Sequence, residues 1–491
     1  MLPLTLNTKL AYWFGQIAEG LKNTSFAVFL LFYYNQVLGV SGTLCGIALF
    51  VGISIDAVSD PLMGSISDAW RSKYGRRHSF MYVSALPMAV CFFFLFSPLV
   101  TTEIGLFIWL LVFVVLTRFT MTLYTVPHNA LGAELTNDYH ERNSIMAFRL
   151  LFGSLGSLIV YGLGFGIFFA ASDAFPNGQT NVDAYPPFAA ILALGIFVSI
   201  IGSALGTKHL VPHLPKATSA QTLNPVQILL DVRSAFQNSS FVWLVGGFLL
   251  VSLPVGLGTA LQLYLNTYFW QISPENIGFV LGSSIPALML GLLIAPYIMK
   301  YIEKKQALYI GAIGWVIFYI APIVLHFAGL FPIPGSVNTV YALVFCHFMA
   351  YLVLSPLSIA VSSMLADVAD EQQLVTNARQ EGVFFGAYAF VIKATAGIGP
   401  AIAGVLLDFI NWPDAETIQS GEAIPPDTLF QLAMIAGPGL AIGFIPALLV
   451  WRNYSLDKAR HKIILEEIRS RESENDVAPL LAPIPQQPIK S

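Results

Sequence analysis

Apolar stretches of roughly 20 to 30 residues recur along this chain, and nothing constrains its fold more. A helix needs about 20 apolar residues to cross the hydrocarbon core of a bilayer. Inside lipid every backbone polar group must find its partner within the protein, which leaves helices or a closed barrel. The stretches show no period-2 alternation, so they read as helices and not as barrel strands. Composition agrees. Of 491 residues, 56% are hydrophobic and 11% are charged, where a soluble domain carries about 25% charged residues. The expected class is an all-α membrane protein.

Twelve transmembrane helices are expected, at 9–38, 42–66, 78–99, 104–132, 144–172, 186–206, 240–271, 275–299, 307–328, 338–363, 380–408 and 428–451. They are called spans 1 to 12 below. The opening "MLPLTLNTK" and the run behind it are too long and too polar at the start for a cleaved signal peptide. Cys45, Cys91 and Cys346 sit in or beside apolar runs at unrelated spacings. They form no metal or disulfide pattern and read as small buried hydrophobes. A net charge of −4 says little about partners. No nucleic acid is expected, and the functional unit is expected to be a monomer.

Lysine and arginine outside the spans fall in alternate connections. Arg71, Lys73, Arg76 and Arg77 follow span 2, Arg142 follows span 4, and Lys208 and Lys216 follow span 6. Lys300, Lys304 and Lys305 end span 8, Arg379 precedes span 11, and Arg452 opens the tail. The intervening loops "SDAFPNGQTNVDAYPP" and "NWPDAETIQSGEAIPPD" have neither residue. Basic loops stay cytoplasmic, so both termini are expected inside a cell (inner) membrane.

The widest connection, 207–239, divides the chain into bundles of six spans, 1–206 and 240–451, with a tail at 452–491. Within it "NPVQILLDVRSAFQ", 224–237, reads as an amphipathic surface helix. Paired six-helix halves with a site between them are a recurring transporter plan. The tail starts with the charged helical pattern "WRNYSLDKARHKIILEEIRSRESE" and ends Pro-rich, and it reads as a solvated end.

Charged side chains at membrane depth are expensive and usually face a cavity or a partner. Here they are Glu19 and Lys22 in span 1, Asp56 and Asp60 in span 2, Arg118 in span 4, Arg149 in span 5 and Lys393 in span 11. All but Lys393 belong to the first half. Glu19 and Lys22, three apart on one face, are placed to neutralise each other. Asp56, Ser59 and Asp60 share one face of span 2. Two carboxylates and a hydroxyl are hard oxygen ligands for a small cation such as Na⁺, and two close carboxylates are also able to share a proton. The coupling ion is left open between Na⁺ and H⁺. There is no Walker-type phosphate loop and no nucleophile–base pairing, so neither ATP hydrolysis nor another enzymatic activity is expected, and no cofactor.

Gly64, Asp68, Gly75, Arg76 and Arg77 follow a G-x-x-x-D…G-R-R pattern. It resembles the loop between spans 2 and 3 of the major facilitator superfamily. The resemblance implies a gating role for Asp68, Arg76 and Arg77, whose pairs break as the cavity opens inward. "DAVSDPLMG", "RSKYGRR", "VPHNALGAELTNDYHERNSIMAFR" and "MLADVADEQQLVTNARQEGVFFGAYAFVIKA" resemble the glycoside–pentoside–hexuronide:cation symporters within it, over nearly the whole chain up to about Arg452. This implies a major facilitator fold and cation-coupled symport of a glycoside or other small sugar by alternating access. It puts the cation site on Asp56, Ser59, Asp60 and Thr122, with Arg149 and Lys393 on the polar path between the halves.

Three positions of the family's sugar site depart from it. Its sugar-binding aspartates fall on Gly20, with Glu19 adjacent, and on Thr125, and its stacking tryptophan falls on Asn129. Glu19, Thr125, His128 and Asn129 then offer a different polar set for the solute, together with Arg149 and Lys393. His128 reads equally as a structural histidine. Arg118 stands where the best-known member has glycine, four residues before Thr122. It is able to modulate the cation site through Asp56 or Asp60, or to meet an anionic solute group. A lysophospholipid-like amphiphile is the alternative solute, and a non-transporting membrane sensor is the second alternative.

Overall fold

The computed structural model describes residues 4–136, 138–214, 233–376, 381–420 and 422–477. Most of the expected surface helix at 224–237, Lys216, Arg379 and the Pro-rich end lie outside the described residues.

Among the described residues, eleven helices are long and apolar enough to cross a membrane. They correspond to spans 2 to 12. The expected span 1 is a helical run in four pieces, Leu6–Phe14, Gln16–Ser25, Phe26–Leu30 and Tyr33–Val37, the last two in π geometry. Two glycines weaken it as a helix and let it press on its neighbours. A Cβ at Gly15 would stand 2.1 Å from the Tyr124 hydroxyl in span 4, and one at Gly20 would stand 2.0 Å from the Gly153 carbonyl in span 5.

Spans 1 to 6 pack mainly on one another, and so do spans 7 to 12. Because the helices alternate in direction, one face of the molecule collects the starts of odd spans and the ends of even ones. That face carries the basic residues and is called the basic face; the other is the far face. Side-chain caps start several helices. Thr102 accepts from the Gly105 amide ahead of span 4 (Glu103–Glu134), and Asn238 accepts from the Phe241 amide ahead of span 7 (Ser239–Tyr264). Each cap satisfies a backbone donor that the helix leaves open.

Two expectations are corrected. Span 10 is not 338–363 but one helix, Val337–Thr376, of 40 residues. At 1.5 Å per residue it is about 60 Å long, twice the roughly 30 Å of a hydrocarbon core. Its last turns therefore project past the basic face. The tail is not a free solvated end through Val477. Lys458–Val477 is a helix whose Ile464 is buried and whose Ile468 packs on the same core. His461, Ile464, Leu465 and Ile468 follow the i, i+3, i+4, i+7 spacing of one face. His461 meets Asp370 at 3.0 Å, and Arg471 donates to the Leu374 carbonyl at 2.7 Å. The projecting end of span 10 thus gives the tail an apolar surface to cover.

The two groups are tied together at the far face. Asp408, near the end of span 11, accepts from the Ser41 hydroxyl at 2.7 Å and from the amides of Gly42 and Thr43 at 2.8 Å, which begin span 2. Tyr264 donates to Asn35, Trp412 to Gln36, Gln179 to Thr267, and the Ala171 amide to Glu275. Asn35, Gln36 and Thr267 all lie in π turns at helix ends. Glycines bring the backbones of spans 2 and 11 into contact below Asp408. A Cβ at Gly404 would lie 1.9 Å from the Gly42 carbonyl.

Candidate functional site

A cavity of about 330 Å³ lies between the groups, midway across. Span 1 lines it with Glu19, Lys22 and Asn23, and span 2 with Ile53, Asp56 and Asp60. Span 4 adds Arg118, Met121, Thr122 and Thr125, and span 11 adds Lys393. Helical spacing explains the choice. Asp56 and Asp60 are one turn apart on span 2, and Arg118, Thr122 and Thr125 recur at i, i+4 and i+7 on span 4.

Within the cavity each aspartate has its own fixed cation. Arg118 Nη1 donates to Asp56 Oδ2 at 2.5 Å, inside the first group. Lys393 Nζ pairs with Asp60 Oδ2 across the two groups. Thr122 donates to Asp60 Oδ1 at 2.7 Å, and Ser59 donates to Thr122 at 3.3 Å from behind. The carboxylates are therefore neutralised separately, and the sharing of one proton between them is not what the geometry shows.

Glu19 and Lys22 do not pair. Gln16 donates to Glu19 one turn back, and Lys22 donates to Asn23 at 3.0 Å with its ammonium 5.1 Å from the Phe26 ring centre. Each has a nearer neutral partner than the other. Gly20, where the family's aspartate falls, has no room for any side chain against span 5, whereas Glu19 faces the cavity.

Three residues expected at the solute do not line this cavity. His128 is 1% exposed, donates from Nε2 to the Tyr12 carbonyl at 3.0 Å, and is stacked between the rings of Tyr12 and Tyr124. Arg149 donates to Asn129 at 2.5 Å, so these two satisfy each other between spans 5 and 4. Thr125 does line the cavity, although its hydroxyl is bonded to the Met121 carbonyl.

At the basic face Arg77 pairs with Asp68 and donates to Glu134 and to the Ser67 hydroxyl. Arg76 reaches the same Glu134 at 2.8 Å. All of these residues belong to spans 2, 3 and 4 or the loop between them. The pairs are intact in this conformation, in which the far face is shut. Glu134 was missed as the centre of this cluster, although it stands in the quoted "VPHNALGAEL" run. Asp408 was missed too, since an acid at the end of an apolar span reads as a mere boundary.

The residues present do not suit a bound Na⁺. A hard cation takes several oxygen ligands at once. Asp56 Oδ2 and both oxygens of Asp60 are already engaged, and the hydroxyls of Thr122 and Ser59 point their protons inward along the chain of bonds. Of these carboxylate oxygens only Asp56 Oδ1 is buried without a partner.

A family model described as "MFS/sugar transport protein" matches residues 11–458. The chain belongs to that family. Among its relatives is an uncharacterized symporter of Synechocystis, 24% identical over 96% of this chain and 98% of that protein. An isoprimeverose transporter of Lactiplantibacillus pentosus is 22% identical over 96% and 93%. The sodium-dependent lysophosphatidylcholine symporter 1 of Mus musculus is 26% identical over 94% and 87%. Solved structures agree on the fold. A mutant of the nucleoside transporter NupG has a TM-score of 0.64 at 15% identity, covering 90% of this chain and 99% of that one. A D-xylose-proton symporter has 0.59 at 14%, covering 91% and 97%. The fold is that of the major facilitator superfamily.

Proposed function

We propose that this protein is a secondary active transporter carrying a glycoside or other small sugar together with a coupling cation. The observation that carries the reading is the lining of the central cavity. It presents carboxylates, ammonium and guanidinium groups, an amide and hydroxyls, and among its lining residues only Ile53 and Met121 are apolar. Such a surface orients a hydroxyl-rich solute through hydrogen bonds. It offers no apolar wall for an acyl chain, which sets the lysophospholipid alternative second. The relatives' names fit the same order.

The two groups are the bodies that rock about the site. The far-face bonds hold this conformation shut on one side, so the cavity faces the basic side, which the distribution of lysine and arginine assigns to the cytoplasm. Both termini then lie inside. Opening outward requires Asp408 to leave the start of span 2 and Lys393 to leave Asp60. The Arg77 cluster travels with its own group.

Uptake into proteoliposomes tests the reading. Radiolabelled isoprimeverose and related glycosides should accumulate under a cation gradient, and lysophosphatidylcholine should not. Accumulation of the lipid alone would reverse the order. Orientation is checked with single cysteines on a background lacking Cys45, Cys91 and Cys346. A cysteine between Asp173 and Tyr185 should react with an impermeant reagent outside intact cells, and one between Arg71 and His78 should not.

A further inference from the structure

We propose that Arg118 is a built-in substitute for sodium at Asp56, so that the cation site of this transporter does not take Na⁺. The proposal rests on the reading of the cavity as a symporter's central site, and it decides which cation that site excludes.

Arg118 is seated, not merely near. Its stem passes Gly52, where a Cβ would come within 3.4 Å of Arg118 Cδ. Its guanidinium lies 5.3 Å from the Phe26 ring centre, a favourable cation–π distance, and Nη1 reaches Asp56 Oδ2. The side chain is only 11% exposed. Arginine does not lose its proton in proteins, so no change of pH empties the position.

The two cations differ in what motion does to them. Lys393 belongs to the second group and Asp60 to the first, so rocking separates them. Arg118 and Asp56 sit on spans 4 and 2 of the same group, so rocking leaves them together. Asp56 is thus occupied throughout the cycle. What remains for a metal is Asp60, already bonded by Thr122, and the single unpartnered oxygen of Asp56. Lys22 adds a further positive charge to the same cavity. The lining then balances three carboxylates against three fixed cations, where a sodium site needs an excess of negative charge.

The test uses Na⁺ itself as the probe. Binding of radiolabelled Na⁺, and thermal stabilisation by sodium chloride against choline chloride at equal ionic strength, are measured on the purified full chain in nanodiscs. The wild type should show no saturable response. Arg118→Gly and the neutral Arg118→Gln should gain saturable binding, tighter by about a hundredfold or more once a unit positive charge is removed at contact distance. Arg118→Lys keeps the charge and should stay silent, and Asp56→Asn added to Arg118→Gly should abolish the gain. Saturable Na⁺ binding by the wild type overturns the proposal. So does a folded Arg118→Gly or Arg118→Gln that gains nothing. If both of these variants fail to fold, the wild-type measurement decides alone. No solute is needed, so failure here leaves sugar transport standing, and a failure to carry sugar leaves the sodium result standing.

Discussion

The two groups of helices build the same brace from different residues. In the first, Arg76 and Arg77 ahead of span 3 hold Glu134 at the end of span 4. In the second, Lys304 at the start of span 9 holds Asp367 near the end of span 10, at 2.8 and 2.6 Å. No such repeat is visible as sequence identity between the halves. At membrane depth the groups part company. The first carries Glu19, Lys22, Asp56, Asp60, Arg118 and Arg149, and the second lends the cavity Lys393 alone. The scaffold is duplicated and the chemistry is not. A change of charge in the first group is therefore reported to the second through one lysine.

The strongest way to break this asymmetry is at Asp60. Asp60→Asn should cut uphill solute accumulation by about a hundredfold, because it leaves Lys393 without its buried partner. The exchanged pair, Asp60→Lys with Lys393→Asp, should recover part of it in proteoliposome uptake. Full accumulation by Asp60→Asn would show that the link across the groups is structural packing and nothing more.

Next in size is the far face. Gly404→Leu places a side chain where the Gly42 carbonyl already lies, and the groups should be held apart there. A cysteine at Asn35 should then react with an external reagent about tenfold faster than in the parent, given the loss of a close backbone crossing. An unchanged rate would mean that Asp408 and the π-turn bonds close the face without the glycines.

The braces themselves should differ. The Arg77 side chain is 6% exposed and meets two carboxylates, whereas that of Lys304 is 35% exposed and meets one. Arg77→Ala should cost about 3 kcal/mol by taking a buried cation away from the buried Glu134, and Lys304→Ala about 1 kcal/mol. Thermal unfolding in detergent should rank them in that order. The reverse order would locate the weaker brace in the first group.

The smallest effect is expected from the tail. Deleting the residues after Asp457 uncovers the apolar patch under Ile464 and should lower stability by about 1 to 2 kcal/mol with solute affinity untouched. A shift in solute affinity would tie the tail to the site.

Hydropathy made spans 2 to 12 legible, since length and apolarity are all a bilayer asks of them. The break at Gly15 was not legible, because a lone glycine is common in helices and only the Tyr124 hydroxyl beside it shows the close approach. Span 10 outran its expected end because "DVADEQQLVT" is polar. Hydropathy ends a span there, while nothing in the local sequence ends the helix. Asp56 and Asp60 were legible from helical spacing on span 2, Arg118 as a charge at membrane depth, and Thr122 only through the family resemblance. Lys393 as the partner of Asp60 was not, since pairing between spans of different groups depends on how those groups meet. His128 and the Arg149–Asn129 pair were ambiguous for the same reason: a polar residue on a helix turns to solute or to a neighbour according to its rotation.

Span 10 has a mechanical side. A rod about 60 Å long that is held at mid-membrane acts as a lever. Tilting it by about 10° swings its basic-face end, about 45 Å from mid-membrane, through about 8 Å, given that length and a core about 30 Å thick. The tail helix is fastened to that end through His461 and Arg471, so it is carried along as a pointer. A fluorophore on the exposed side of the tail, paired with one on the loop after span 2, would read the stroke of the second group directly while the transporter turns over.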